Sequence, residues 1–125
     1  MSSWAHNIAC ALAWFVMALQ TLFGAAEIFA PRSVFDGVLP AYYDTRASPV
    51  WVETEKLARN MGLYNWFLAA GLLLSLTGRL GGVPTSQFFL LCVAIAGGFG
   101  WLSVGPSASF AAQLVLGLAA FVFFF

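Results

Sequence analysis

The hydrophobic residues of this chain fall into four long runs, separated by one long polar connection and two short ones. A hydrocarbon core about 30 Å thick is crossed by about 20 apolar residues in a helix, and each run is near that length. The pattern therefore predicts an all-α membrane protein in which four transmembrane helices form a single domain, residues 1–125. The expected helices cover residues 4–29, 53–77, 86–104 and 108–125.

The connections between the runs predict how the helices are arranged. Residues 30–52 form the long connection, which contains three prolines and is not expected to form a continuous helix. The two short connections are rich in Gly, Pro and Ser, and short connections join antiparallel neighbours in a bundle. We therefore expect an antiparallel up-down-up-down bundle with both termini on one side of the membrane.

The composition agrees with a membrane location, and the charges predict an orientation. Hydrophobic residues make up 62% of the chain and charged residues 8%, and the formal net charge is zero, so we expect no nucleic-acid partner. Four basic residues lie on the side of the long connection, Arg32, Arg46, Lys56 and Arg59, and Arg79 is alone on the other side. Because basic residues are enriched in cytoplasmic loops, we expect the long connection to lie in the cytoplasm.

Small and polar residues recur along one face of each expected helix, at the helical period of 3.6 residues. Since lipid is as apolar as leucine, helices in a bilayer associate through small residues and hydrogen bonds. We therefore expect these faces to turn towards one another, with Ala94-x-x-x-Gly98 and Gln113-x-x-x-Gly117 as close-packed seams. The faces comprise His6, Ala9, Ala13, Gln20, Gly24 and Glu27 in the first helix, Glu53, Lys56, Asn60, Tyr64, Gly71 and Ser75 in the second, Gln87, Ala94 and Gly98 in the third, and Gln113, Gly117 and Ala120 in the fourth.

Polar residues gather at the end of the expected bundle next to the long connection, which predicts a polar pocket there with the connection as a lid. The candidate ligand-binding residues are Glu27, Lys56, Asn60, Tyr64, Asn65 and Gln113. Placing an ionisable group inside a span costs free energy, and such a group usually has a partner or a function. Glu27 is therefore the leading candidate. Lys56, Arg59 and Asn60 are the candidate partners of Glu27. Two interpretations stay open: an ion pair that fixes the first two helices, or a carboxylate that binds a ligand or a proton.

Other chemistry is sparse. The chain has a single histidine, His6, and we expect no metal site. Cys10 and Cys92 lie in expected helices and are interpreted as small core residues rather than as a redox pair. The sequence contains no Ser–His–acid set, phosphate-binding glycine loop or nucleotide motif, so we expect no cofactor and favour a protein that is not an enzyme.

The second expected helix carries a family resemblance. Residues 57–72, LARNMGLYNWFLAAGL, resemble the signature L-A-x-N-Q-G-L-Y-N-G-F-L-A-A-G-L of small bacterial membrane proteins grouped as domain of unknown function 1304. Residues 88–100 are similar to the third helix of that family, and Glu27-Ile28-Phe29 resembles its L-E-M-F segment. The resemblance implies four helices in a bacterial inner membrane and no established activity. The positions that it supports are Glu27, Asn60, Tyr64 and Asn65.

The chain departs from that family at several positions. Gln20-Thr21 stand where the family usually carries Glu-His in the first helix, so the resemblance does not extend to acid-base chemistry by that pair. In the signature itself, Met61 replaces a glutamine and Trp66 replaces a glycine.

The preferred functional hypothesis is binding or transport of a small apolar or amphipathic molecule in the polar pocket. A first alternative is a non-catalytic accessory or structural subunit of a larger membrane complex. A second alternative is a small intramembrane enzyme with Glu27 and Tyr64 as acid and base. Four helices form a narrow bundle, so transport would need an oligomer, and the expected partners are the lipid bilayer, a second copy of the chain and a small hydrophobic ligand.

Overall fold

A computed structural model describes residues 2–35 and 49–125, and the regular elements within these residues are all helices. They are α1 (Ser3–Phe29), α2 (Pro31–Phe35), α3 (Pro49–Leu76), α4 (Val83–Ser103) and α5 (Ala108–Phe123). The prediction of an all-α chain is confirmed. The expectations for residues 36–48, including Arg46, lie outside the described residues.

Two helices begin with a proline inside the connection expected at residues 30–52. α2 begins at Pro31 and α3 begins at Pro49. The first position of a helix needs no intrahelical N–H bond, and the fixed φ of proline suits that position. A proline that prevents a continuous helix can therefore still start a new one.

Among the described helices, α1 and α4 are long and apolar enough to cross a membrane, with mean hydropathies of 1.9 and 1.5 in their most apolar windows. α5 is apolar but shorter, at 16 residues. α3 has 28 residues, and charged side chains near its start lower its hydropathy. Length and composition thus support a membrane crossing for two of the four expected spans.

The chain divides into two compact units. Unit 1 comprises Met1–Leu19 and Leu68–Phe125, and unit 2 comprises Gln20–Phe67. α1 and α3 each contribute one part to each unit.

Unit 1 has a hydrophobic core to which four helices contribute. The buried core residues are Ala9, Ala13 and Val16 of α1, Leu72 of α3, Leu90 and Val93 of α4, and Ala120 and Phe124 at the end of α5. α3 and α4 run in opposite directions, because Gly71 packs against Phe89 and, further along α3, Ser75 meets Ser86. This agrees with the antiparallel order that the short connection between these two helices predicts.

α4 and α5 approach each other closely at glycines. A Cβ atom added to Gly97 would lie 2.6 Å from the backbone nitrogen of Leu114, and one added to Gly117 would lie 3.0 Å from the carbonyl oxygen of Leu90. A Cβ on Gly98 would lie 3.6 Å from Leu114 Cδ1, which is an ordinary contact. Gly117 therefore lies in the seam as predicted, but the seam glycine of α4 is Gly97 rather than Gly98. Adjacent positions differ by about 100° around a helix, so Gly97 points at the backbone of α5 and Gly98 reaches only a side chain.

The inward face of α1 agrees with the prediction, whereas that of α3 differs in its first half. On α1, Ala9, Ala13, Gln20 and Gly24 are buried. On α3, four residues predicted to face inward are exposed: Glu53, Lys56, Asn60 and Tyr64. The buried residues of this half are instead Trp51, Ala58 and Gly62. Charged and polar side chains near the start of α3 remain accessible, so the small residues determine which side packs.

In unit 2, the last part of α1 packs against the first part of α3 at a pair of glycines. A Cβ on Gly24 would lie 2.8 Å from the carbonyl oxygen of Gly62, and a Cβ on Gly62 would lie 2.7 Å from that of Gly24. The indole N–H of Trp66 donates to the carbonyl oxygen of Thr21 at 3.1 Å. The two segments are therefore antiparallel, and the glycine pair sets their register.

Candidate ligand-binding site at Glu27 and Asn65

Glu27 and Asn65 meet on the facing sides of α1 and α3. The Asn65 Nδ2 atom donates a hydrogen bond to Glu27 Oε2 at 2.7 Å, and both side chains are half-buried. Each residue follows a seam glycine by three positions, Gly24 on α1 and Gly62 on α3. Residues three apart share a helix face, so both side chains are on the packed sides of their helices. Gly62 lets Glu27 approach α3, since a Cβ added to Gly62 would lie 3.1 Å from Glu27 Cβ.

Among the described residues, the partner of Glu27 is an amide and not a cation. Within the described residues, neither Lys56 nor Arg59 forms an ion pair with Glu27. Lys56 Nζ instead pairs with Glu53 at 2.9 Å, and both of these side chains are 67% exposed. The ion-pair interpretation of Glu27 with Lys56 or Arg59 is therefore wrong. Arg59 lies about 120° around the α3 axis from Asn65, which accounts for its separation from the carboxylate.

A second charged contact of unit 2 involves α2. Arg32 Nε donates to Glu55 Oε1, and the Arg32 guanidinium carbon lies 5.5 Å from the centre of the Trp51 ring. The Trp51 side chain is buried, and its Nε1 atom has no hydrogen-bond partner among the described residues. Arg32 is thus held by a carboxylate and an aromatic ring.

Asn60 and Tyr64 of unit 2 do not share the face of α3 that carries Asn65. Asn60 is exposed, and Tyr64 is 57% exposed with its ring edge-on to Phe67. On a helix, positions one and five residues from Asn65 lie about 100° and 140° around the axis from it. Gln113 is half-buried in unit 1, where its Cβ lies beside Gly97.

Gln20 is a second buried polar residue on the face of α1 that carries Glu27. Its side chain is 0% exposed, and neither atom of its amide has a hydrogen-bond partner in the described part of the chain. A buried amide without partners is costly, and such a group in a native structure calls for an explanation. Seven residues, or about 10 Å of helix rise, separate it from Glu27.

Unit 1 contains a cavity of about 210 Å³ near the start of α1. Four of its lining residues form polar contacts: His6 Nε2 lies 3.5 Å from Cys10 Sγ, and Ser86 Oγ donates to Ser75 Oγ at 2.8 Å. Within residues 2–35 and 49–125, no three His, Cys, Asp or Glu side chains are grouped to hold a metal ion. Sequence reasoning overlooked the His6–Cys10 contact, although a spacing of four residues on one helix predicts it.

Residues 8–125 match a family model described as Protein of unknown function (DUF1304). The chain belongs to this family. No curated protein and no solved structure is significantly similar to it. The resemblance found in the sequence is thus confirmed, and DUF1304 membership carries no assigned activity.

Trp66 contacts α1, but the sequence analysis did not include it among the candidate residues. The resemblance gives the DUF1304 signature a glycine at this position, whereas the Trp66 indole here lies against Gly24. Its ring centre is 6.2 Å from that of Phe29. One signal could have identified Trp66: a large residue stands where the signature has a glycine, and it faces a glycine of another helix.

These contacts define the chemistry available at Glu27. A half-buried carboxylate is held by one amide donor. A carboxylate can accept about four hydrogen bonds, so Asn65 uses only part of its capacity. The arrangement offers hydrogen-bond acceptors to a molecule that carries a donor group.

Proposed function

We propose that the protein is a multi-pass protein of the bacterial inner membrane, crossed by α1, α3, α4 and α5. α4 has 21 residues, a length of about 31 Å that matches the hydrocarbon core. α5 is about 24 Å long, and a bilayer accommodates a short span by thinning locally. Large apolar side chains along the outward side of α4 support this proposal, with Leu102 85% and Phe99 71% exposed. Lipid covers such a surface.

Paired cysteine substitutions on either side of α3 test the crossing. In a background with Cys10→Ser and Cys92→Ser, an impermeant maleimide is expected to label Arg79→Cys in intact cells. Lys56→Cys is expected to react only after the cells are opened, because the positive-inside rule places that end in the cytoplasm. Labelling of both positions from the same side would contradict a spanning α3. The reverse pattern would overturn the orientation alone.

Within this membrane protein, the Glu27–Asn65 pair is proposed to bind a small amphipathic molecule. The observation that carries the proposal is a half-buried carboxylate on an apolar helix whose partner is a neutral amide. Ionisable groups inside a span are costly and mark functional sites when their partners do not neutralise them. The unpartnered Gln20 amide on the same helix face adds a second group that a bound molecule or water would satisfy.

Co-purification tests the binding proposal. Wild-type protein in lipid nanodiscs is expected to retain a small molecule, detected by native mass spectrometry, and Glu27→Gln is expected to lose it. Glu53→Gln makes the same chemical change at an exposed carboxylate and should leave retention unchanged. Equal retention by both variants would contradict the proposed site. A wild-type protein without a small molecule but bound to one larger membrane protein would favour the accessory-subunit hypothesis.

A further inference from the structure

The charges of unit 2 indicate what kind of molecule the site selects. Two of the three described glutamates in this unit are paired with cations, Glu55 with Arg32 and Glu53 with Lys56. Glu27 is the third and has an amide partner instead. An uncompensated carboxylate in a partly desolvated site costs free energy that an incoming positive charge offsets.

The helices of unit 2 also expose apolar side chains that can contact the apolar part of a bound molecule. Leu22 and Phe29 of α1 and Leu57 of α3 are exposed. An ammonium group has three N–H donors for the acceptor positions of the carboxylate that Asn65 leaves open.

We propose that the site selects amphipathic organic cations of the alkylammonium type. The ammonium group pairs with Glu27, and the alkyl chain contacts exposed apolar side chains of unit 2. This inference rests on the proposed function, because it names the class of molecule that the Glu27–Asn65 pair binds. It excludes carboxylates, which Glu27 repels, and it ranks uncharged alcohols below amines of the same chain length.

Three probes that share a six-carbon chain and differ in charge test the preference: hexylammonium, hexanol and hexanoate. Their binding to the full chain in nanodiscs is measured by isothermal titration calorimetry. Hexylammonium is expected to bind with the lowest Kd, and Glu27→Gln is expected to raise that Kd roughly thirtyfold or more, the loss typical of removing one member of a buried charge pair. Glu53→Gln should leave the Kd unchanged. Thermal melting of both variants checks that each is folded.

The outcomes separate this inference from the proposed function. If hexanol binds as tightly as hexylammonium and Glu27→Gln weakens both, the cation preference is overturned and the ligand site survives. If Glu27→Gln and Glu53→Gln weaken hexylammonium binding equally, the cation binds to surface charge and the inference fails. If no probe binds and the wild-type protein retains no small molecule, the proposed function fails as well.

Discussion

Units 1 and 2 both contain parts of α1 and α3, but different side chains accompany the close helix contacts in each. In unit 1, Gly97 and Gly117 let α4 and α5 approach, and the core beside them is apolar. In unit 2, Gly24 and Gly62 let α1 and α3 approach, and the next residues on the same faces are a carboxylate and an amide. Both units thus use glycines to bring two helices together, whereas unit 2 also has a charged side chain at its helix contact.

The largest stability effect is expected at the seam of unit 1. Gly97→Ala places a methyl group against the backbone of α5, which cannot rotate away, and should lower the free energy of unfolding by about 3 kcal/mol. Gly98→Ala is the matched control, because its methyl group meets a flexible leucine side chain and alanine favours a helix by up to about 1 kcal/mol. Denaturant titration in detergent measures both. Equal losses of unfolding free energy in Gly97→Ala and Gly98→Ala would contradict the placement of Gly97 in the seam.

In unit 2, Asn65→Ala should lower the free energy of unfolding by about 2 kcal/mol, since it removes a hydrogen bond to a charged group. Asn60→Ala changes the same residue type on the exposed side of α3 and should stay within about 0.5 kcal/mol of wild type. The same titration compares them. An unchanged free energy of unfolding in Asn65→Ala would mean that the Glu27–Asn65 hydrogen bond does not stabilise the fold.

A smaller effect is expected from the buried serine pair of unit 1. Ser86→Ala removes the hydrogen bond to Ser75 and should cost about 1 kcal/mol. Ser103→Ala removes an exposed hydroxyl that donates to its own helix and should be close to neutral. Thermal melting of the two variants decides whether polar contacts also stabilise the apolar unit.

The smallest effect is expected from Trp66→Phe. This variant keeps an aromatic ring near Phe29 but loses the donor to Thr21, an exposed hydrogen bond that contributes about 0.5 kcal/mol. Trp101→Phe, at an exposed position near the end of α4, is the control. A loss of several kcal/mol in Trp66→Phe alone would show that the indole packs more tightly than the contact distances indicate.

The comparison also explains what the sequence could predict. The inward face of α1 can be predicted from the sequence because its small and polar residues coincide, with Ala13, Gln20 and Gly24 on one side. The inward face of α3 cannot be predicted in this way. Its polar residues are Asn60 and Tyr64, whereas its packed residues are Ala58 and Gly62. Near the start of this helix, side chains are accessible, and polarity there does not require burial.

The partner of Glu27 could not be derived from periodicity. Which α3 residue lies opposite Glu27 depends on the axial register of the two helices, and that register follows from the contact between Gly24 and Gly62. Charge therefore did not identify the contact of Glu27: Lys56 pairs with Glu53, whereas Asn65 donates to Glu27. A pattern along one helix gives a face, and a glycine pair on two helices gives the register.

The indole that lies against Gly24 links two positions that are far apart in the chain. The Cδ1 atom of Trp66 occupies the space that a methyl group at position 24 would need. A homologue with alanine or serine at position 24 should therefore carry a small residue at position 66, and reversion of Trp66 to glycine should make Gly24→Ala more tolerable at that contact. Variation at one position is thus conditional on the other, and an alignment of relatives should reveal the two positions changing together.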